Sequence, residues 1–544
     1  MMRNLLHFFL FTFLVNTIYA QDLIRGPYQQ SATTQSVKIM WRTSEAANSW
    51  VKIGDTPENL DRVFSNPNLE VDHNVLVTGM FPHTKYYYAI RHDDVTLASG
   101  IDHYILTNKP YGDTSGFSFW TIGDAGKANV PQVMARNAFL EHTKNKPVDF
   151  AIMLGDNAYQ DGTDAEYQQK VFGKEFGYDS ILRYLHYYPT PGNHDYNILR
   201  SSSILDYLNP FIDSGPYYDI HEVFKNGEGG GIPSGTEIYY SFDYGHVHFI
   251  SLNSETFQWT GNNASPMKTW LMKDLAANKL PWTIVIFHQP PFTAGSHVSD
   301  DSYEFMMMHM RKYMLPILED AGVDLVLNGH SHVYERSYFL NGFYNATYAF
   351  DPAVHALSMK SGNPDLGETY VKEAGGKGTV YSVIGNSGSY TSEGSFPTKM
   401  HPVNIIRDAG QDVTGSIVVD VTGSMLNVEY INRFGEILDK YAIYKQIETV
   451  PTVVKQNYVD LFEMSAYPNP SSDVLSLTYN NPSMSTANLS ITDMTGRQVL
   501  TQEATGQGSA TINVNGWKQL AAGNYIVSMD VNGKLGSINV VKSE

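Results

Sequence analysis

Five short stretches of this 544-residue chain carry side chains able to hold metal ions. In order they are Gly123-Asp124-Ala125-Gly126, Gly155-Asp156-Asn157-Ala158-Tyr159, Gly192-Asn193-His194-Asp195, Val285-Ile286-Phe287-His288 and Gly329-His330-Ser331-His332. An apolar run leads into each, and a short apolar run bounded by a turn reads as a buried strand. Asp124, Asp156, Tyr159, Asn193, His288, His330 and His332 are thus expected at the outgoing ends of strands, where open α/β sheets gather ligands. Two Asp, one Asn, one Tyr and three His supply four donors to each of two cations if one Asp is shared. Asp156 can bridge two cations, and Tyr159 can reach one of them as a phenolate. Oxygen and imidazole donors suit Fe, Zn or Mn. Paired ions about 3.5–4 Å apart favour in-line displacement at phosphorus.

A lone Gly-Asp or Gly-His is usually a turn. The weight lies in five such stretches, each after an apolar run. The spelling of the fifth also occurs at Gly245-His246-Val247-His248, but there it comes before the apolar run Phe249-Ile250-Ser251-Leu252. Its histidines are therefore expected at a strand's incoming end, as ordinary strand residues.

The elements that must position these residues follow from patterning. From about residue 115, strands are expected at Phe117 to Ile122, Val148 to Leu154, Trp282 to Phe287 and Val323 to Leu327. Helices are expected from Val130 to Lys144, with Asn129 as cap and Pro131 in the first turn, and from Pro266 to Leu275. A Met-rich helix over Glu304 to Glu319 should break near Pro316, its methionines filling core. Alternating strands and helices imply a layered α/β domain. Residues 337–445 are strand-rich and are expected to complete a second sheet.

On either side the grammar is all-β. Residues 21–108 place Val37, Ile39 and Trp41 on one face of a strand, followed by a second strand at Val75-Leu76-Val77 and then Pro82 to Ile90. A Trp in an early strand and a Tyr-rich late strand suit a β-sandwich. Residues 446–463 have no pattern and read as a linker. Residues 464–544 run in short alternating strands with Gly turns and suggest a small β-sandwich. The expected class is therefore multidomain: an N-terminal β-sandwich, a central layered α-β-β-α domain over 109–445, and a C-terminal small β-sandwich.

Composition supports packed cores, with 42% apolar and 13% aromatic residues, in a chain long enough for roughly two to four domains. Net charge is −19, which repels polyanions and argues against nucleic acid as a partner. A phosphate substrate would need a local positive centre. Residues 1–20 read as a secretory signal peptide, with Arg3, an apolar run from Leu5 to Val15, and Ala20 before Gln21-Asp22. That run is short for a bilayer crossing, so no integral span is expected in the mature chain. With no cysteine, disulfides and thiolate metal sites are excluded.

On these five motifs the chain resembles a purple acid phosphatase of the metallophosphoesterase superfamily. Tyr240-Ser241-Phe242-Asp243-Tyr244-Gly245 and His332-Val333-Tyr334-Glu335-Arg336 are similar to further family segments. Gly126 stands where related phosphoesterases have His, and Tyr159 appears instead, the exchange that marks the purple subgroup. The resemblance implies that Asp124, Tyr159 and His332 bind a ferric ion. It implies that Asn193, His288 and His330 bind a divalent ion (Fe, Zn or Mn) and that Asp156 bridges. His194 would face the substrate and protonate the leaving group. Asn193 and His297 would contact substrate, with an exposed loop histidine as the alternative for His297. Residues 21–108 resemble a fibronectin type III-like domain, in the plant-type architecture, and otherwise serve as a packing module. Residues 464–544 resemble the sorting domain of type IX secretion substrates, through Tyr467-Pro468-Asn469-Pro470, Thr495-Gly496-Arg497, Gly523-Asn524-Tyr525 and Val540-Val541-Lys542. The implied function is a secreted or cell-surface acid phosphatase acting on small phosphate monoesters, with the secretion machinery as a partner. Two rivals stay open: a phosphodiesterase or nucleotide phosphohydrolase on the same metals, its pocket shaped by the Gly-rich insertion 196–238, and a non-catalytic surface-binding protein.

Overall fold

The computed structural model describes residues 22–195, 215–255, 265–392, 394–447, 464–469, 471–481, 486–493, 498–504, 508–531 and 534–543. The signal-peptide reading of 1–20, residues 196–214 of the insertion, nearly all of the 446–463 linker and the Thr495-Gly496-Arg497 turn lie outside the described residues.

Two seven-stranded sheets form the centre. The first runs Tyr370–Lys372, Ile437–Lys445, Met425–Asn432, Gly415–Thr422, Phe117–Ile122, Phe150–Met153 and Tyr187–Pro189. The second runs Tyr240–Tyr244, Val247–Ser251, Trp282–Ile286, Leu325–Asn328, Val380–Ile384, Tyr334–Ser337 and Asn404–Asp408. Strand alternation sends one set of side chains between the sheets and the other outward. Phe119, Ile152, Ile284, Leu325 and Val419 share the buried inter-sheet cluster. Trp120, Met153, Val285 and Val326 belong to the cluster that includes the helices. Trp120 stacks on Phe139 of the helix Val130–Thr143, ring centres 4.0 Å apart. Met267, Trp270 and Leu271 of the helix Pro266–Ala277 pack in the same outer cluster. Phe117–Ile122, Phe150–Met153, Trp282–Ile286 and Leu325–Asn328 are mostly apolar and buried along their whole length because both faces are covered.

The first helix is capped by Asn129, whose side chain accepts from the Gln132 amide at 3.0 Å, with Pro131 in its first turn. The Met-rich segment breaks earlier than its proline. Phe305–His309 is α-helical, Met310–Met314 forms one wide π turn, and Leu315–Asp320 resumes the α-helix. Pro316 lacks an N–H and excludes the carbonyl of the preceding turn, so the distortion falls upstream of it. Met306, Met307, Met310 and Met314 are buried, as core filling requires. Residues 337–445 divide among sheets: Phe339–Leu340 and Ala356–Ser358 pair as a small two-stranded sheet, Val380–Ile384 and Asn404–Asp408 complete the second large sheet as expected, and the later strands join the first. Val380–Ile384 inserts between two strands of the second sheet, while Gly415–Thr422 pairs antiparallel with Phe117–Ile122 and extends the first. Strand patterning shows that a strand forms, whereas its neighbour is set by long-range pairing.

Residues 23–106 form six strands around Val37, Ile39, Trp41, Val75, Tyr86 and Tyr88. The long strand Val37–Gly54 pairs with three different partners along its length, so all six strands join one hydrogen-bonded network. This unit is tied to the centre. Arg25, almost fully buried, meets Asp164 at 2.9 Å, and Tyr28 Oη donates to the Ile220 carbonyl at 3.0 Å. Toward the C-terminus, a three-stranded and a four-stranded sheet enclose Leu477, Ile491, Trp517 and Val527. No helix among the described residues is long and apolar enough to cross a membrane.

Candidate metal centre

The parallel strands Phe117–Ile122, Phe150–Met153, Trp282–Ile286 and Leu325–Asn328 deliver their outgoing loops to one place. Three of the loop residues hold left-handed backbone that side chains rarely adopt: Asp124 (φ 54°), Asp156 (φ 50°) and His330 (φ 68°). Such strain costs of order 1–3 kcal/mol per residue and persists where the surroundings enforce it. Space is equally tight. A Cβ on Gly155 (φ 92°) would stand 2.5 Å from His288 Nδ1, and one on Gly329 2.5 Å from Asp124 Oδ2.

The donor atoms fall into two trios. Tyr159 Oη lies 2.8 Å from Asp124 Oδ1 and 3.0 Å from His332 Nε2, with 3.4 Å between the last two. His330 Nδ1 lies 2.9 Å from Asn193 Oδ1 and 3.2 Å from His288 Nε2. Asp156 Oδ1 stands 3.3 Å from His288 Nε2, and Asp156, His288 and His330 together can hold one ion. The tautomer of His288 is fixed from behind: its Nδ1–H donates to the Leu154 carbonyl at 2.8 Å, so Nε2 turns its lone pair toward the trio.

Electrostatics agree with this donor set. Burial and the Asp124 and Asp156 carboxylates push the Tyr159 phenol well above its ordinary value. Burial opposes a charge on His288, but the Asp156, Asp124 and Glu255 carboxylates together outweigh it and raise the imidazole to about 10. Burial likewise opposes ionisation of Asp156, yet His288, His194 and His330 hold it well below the carboxylate range. Such a negative, enclosed centre favours multivalent cations, which would displace the Tyr159 and His288 protons. The residues therefore fit a metal pair.

The expected substrate-facing residues stand at its edge. His194 donates from Nδ1 to the Gln160 carbonyl at 2.7 Å, which leaves Nε2 3.7 Å from Asp156 Oδ2. Its ring lies 4.3 Å from that of Tyr159. His297 is half-buried, its Nδ1 2.5 Å from Glu304 Oε1 and its ring 4.0 Å from that of His330. The Gly245 motif is kept away from these groups. His248 is buried between Asp243 at 2.7 Å and Asp274 at 2.8 Å. It is thus more than the ordinary strand residue expected: burial alone would lower it, but the two carboxylates raise it to about 9. His246 spans the carbonyls of Asp113 and Gly423 at 2.8 and 3.2 Å.

Three supports escaped the sequence reading. Asp195 accepts from the amides of Gly192 (2.8 Å) and Asn157 (3.0 Å) and from Tyr167 Oη (2.5 Å), locking two ligand loops together. Glu304, which holds His297, lies at the start of the Met-rich segment and signals nothing by spelling. A sixth loop, Gly385-Asn386-Ser387-Gly388-Ser389, props the first: Ser387 Oγ accepts from the Gly123 amide at 3.2 Å and the Ser389 amide donates to the Asp124 carbonyl at 3.0 Å. It has the same strand-then-glycine grammar, but without an Asp, His or Tyr it gave no chemical signal.

Comparison with known proteins places this site. Residues 117–334 match the sequence model of the calcineurin-like phosphoesterases, and residues 465–542 match that of the secretion system C-terminal sorting domain. The chain is 26% identical over 400 residues to an uncharacterised protein of Mycobacterium tuberculosis, covering 66% of this chain and 68% of the relative. It is 25% identical over 387 residues to an acid phosphatase of Aspergillus ficuum (49% and 60%) and 24% over 306 residues to purple acid phosphatase 15 of Arabidopsis thaliana (52% and 51%). The chain thus spans only about half to two thirds of these relatives' lengths. Among solved structures, a purple acid phosphatase from yellow lupin seeds superposes with a TM-score of 0.58 at 18% identity, covering 78% of this chain and 75% of the other. A PhoD structure superposes at 0.53 and 13% identity, covering 76% and 86%. The centre of the chain is accordingly a calcineurin-like phosphoesterase domain with purple acid phosphatases among its relatives, and the chain ends in a sorting domain. That fold implies a dinuclear metal centre and a phosphoester hydrolase.

Proposed function

We propose that this is an exported acid phosphatase that hydrolyses small phosphate monoesters. The observation that carries the reading is the pair of donor trios, with Asp156 beside one of them. Asp124, Tyr159 and His332 would hold a ferric ion, Asn193, His288 and His330 a divalent Fe, Zn or Mn ion, and Asp156 would bridge. When bound, the metal pair acidifies an attacking water and neutralises phosphate charge that an acidic protein would otherwise repel.

The remaining roles belong to the chain. His194 donates its Nδ1–H to the Gln160 carbonyl, so in the imidazolium form the proton that can be given away sits on Nε2, on the Asp156 side, and its loss leaves the neutral ring. As the ester P–O bond breaks, that proton goes to the departing oxygen. Asn193 would present its carboxamide to the metal and substrate alike, and His297, held by Glu304, would face a phosphate oxygen. The sorting domain supports a secretion machinery as partner and a secreted or cell-surface address, with 1–20 removed as signal peptide. We assign 21–108, 109–445 and 464–544 as units, with 446–463 as linker.

The test compares a chromogenic phosphate monoester with the matching diester at acidic and neutral pH, with Asp156→Asn as the blank. Faster monoester turnover at acidic pH, absent in the blank, supports the proposal. A diester preference reassigns the same metals to a phosphodiesterase. Wild-type turnover and metal content in Asp156→Asn would sink the metal scheme. A protein that cannot be loaded with metal would favour the binding role.

A further inference from the structure

The loop that carries Asp124 continues into Lys127, a residue with no part in the ligand scheme. Its ammonium Nζ sits 3.2 Å from the centre of the Tyr159 ring. This contact is built by a braced turn. The Lys127 amide donates to the Ala125 carbonyl at 2.9 Å, and the amides of Lys127 and Ala128 donate to Gln132 Oε1 at 3.0 and 2.7 Å. Gln132 is fully buried, and its Nε2 donates to the Lys170 carbonyl at 2.8 Å. Tyr159 is fixed in turn: its amide donates to the Gly126 carbonyl at 3.0 Å and its ring is only 2% exposed. Besides the His194 ring beside it, the tyrosine meets two charged surroundings. Its oxygen edge meets Asp124 and His332, and its π face meets a cation.

We propose that Lys127 tunes Tyr159 as a metal ligand, by placing a fixed positive charge on the ring whose oxygen binds the ferric ion. The inference rests on the proposed reading of Tyr159 as that ligand. A cation is attracted to the negative face of a phenol ring, and the attraction grows as the water-poor surroundings deepen. In a phenolate the negative charge spreads from oxygen into the ring carbons, so the same contact becomes an ion pair. The ammonium then lowers the filled ring orbitals. Moving an electron from ring to ferric ion requires more energy, and the charge-transfer absorption lies at shorter wavelength than it would without Lys127. A fixed positive charge beside the trio also favours the ferrous over the ferric state.

The experiment records visible spectra of the iron-loaded full chain, wild type beside Lys127→Met and Lys127→Arg, at one pH and with iron content measured. Lys127→Met should move the band to longer wavelength by roughly 10 nm or more, the photon-energy equivalent of an ordinary cation–π contact. It should also make the ferric ion harder to reduce. Lys127→Arg, which keeps the charge, should hold the band near the wild-type position. If Lys127→Met folds poorly by circular dichroism, Lys127→Gln is read in the same way. An unchanged band at matched iron content overturns the role of Lys127 and leaves the metal assignment intact. An iron-loaded wild type without a visible band removes Tyr159 as a ferric ligand, and the inference falls with it.

Discussion

The chain writes Gly-His-x-His twice, and the two copies became different objects. At Gly329-His330-Ser331-His332 the motif follows the strand Leu325–Asn328, and both histidines point donor atoms at other metal-capable groups. At Gly245-His246-Val247-His248 it leads into the strand Val247–Ser251, and the histidines are used up by carboxylates and carbonyls. A histidine becomes a ligand when its neighbours offer lone pairs and leave room for a cation. It becomes a charged core residue when carboxylates close on both of its nitrogens. The side of the strand on which the motif falls decides between these outcomes.

The difference can be broken from the metal side first. His330→Ala and His332→Ala should each lower turnover by more than the 10–100-fold typical of a residue behind the ligands, with loss of bound metal measured in the same preparation. Normal metal content in either variant would erase the contrast.

On the other side, His248→Ala should keep metal content and turnover per folded molecule but destabilise the protein. Asp274 would be left buried and Asp243 partly buried without their shared countercharge, an effect of about 3–5 kcal/mol readable in chemical denaturation. A variant that keeps its stability but loses metal would reverse the two assignments.

The same residue predicts a pH dependence. His248 is raised from its ordinary value of 6.5 to about 9 in the folded protein, so the folded state binds its proton more tightly than the unfolded state. That stabilisation is complete below about pH 6.5 and is lost as pH rises through 9, a change of a few kcal/mol. Denaturation midpoints between pH 6 and 10 should fall in the wild type and flatten over that window in His248→Ala.

The smallest effect separates the two leading glycines. Gly245→Ala forces a Cβ to 2.8 Å from the Asp113 carbonyl at φ 55°, and should cost about 1 kcal/mol without touching the metals. Gly329→Ala points its Cβ at Asp124 and should appear in metal content instead. Inductively coupled plasma analysis and thermal melts distinguish the pair.

Much of the centre was legible because its strands are apolar on both faces and end in turns. Phe117–Ile122, Trp282–Ile286 and the Asn129-capped helix announce themselves locally, and the seven donors lie where those strands stop. The Met-rich helix was legible in outline, but its π turn was not, since the distortion precedes the proline that causes it. Asp195 and the Ser387 loop were hidden because they act on backbone amides, and Glu304 because no spacing pattern ties it to His297, seven residues before it.

Local chemistry in the chain determined which residues could hold metal, which strands would be buried and which copy of the repeated motif would sit at a productive end. These follow from side-chain type, alternation and turn residues within a few positions of one another. Tertiary structure alone decided that donors from five loops sort into two trios, that strands near residue 420 pair with the strand at 117, that His248 is closed in by Asp243 and Asp274, and that Lys127 rests on the Tyr159 ring. Each of these is a contact between residues whose distance in space is set by packing of the whole domain, and no local pattern encodes that distance.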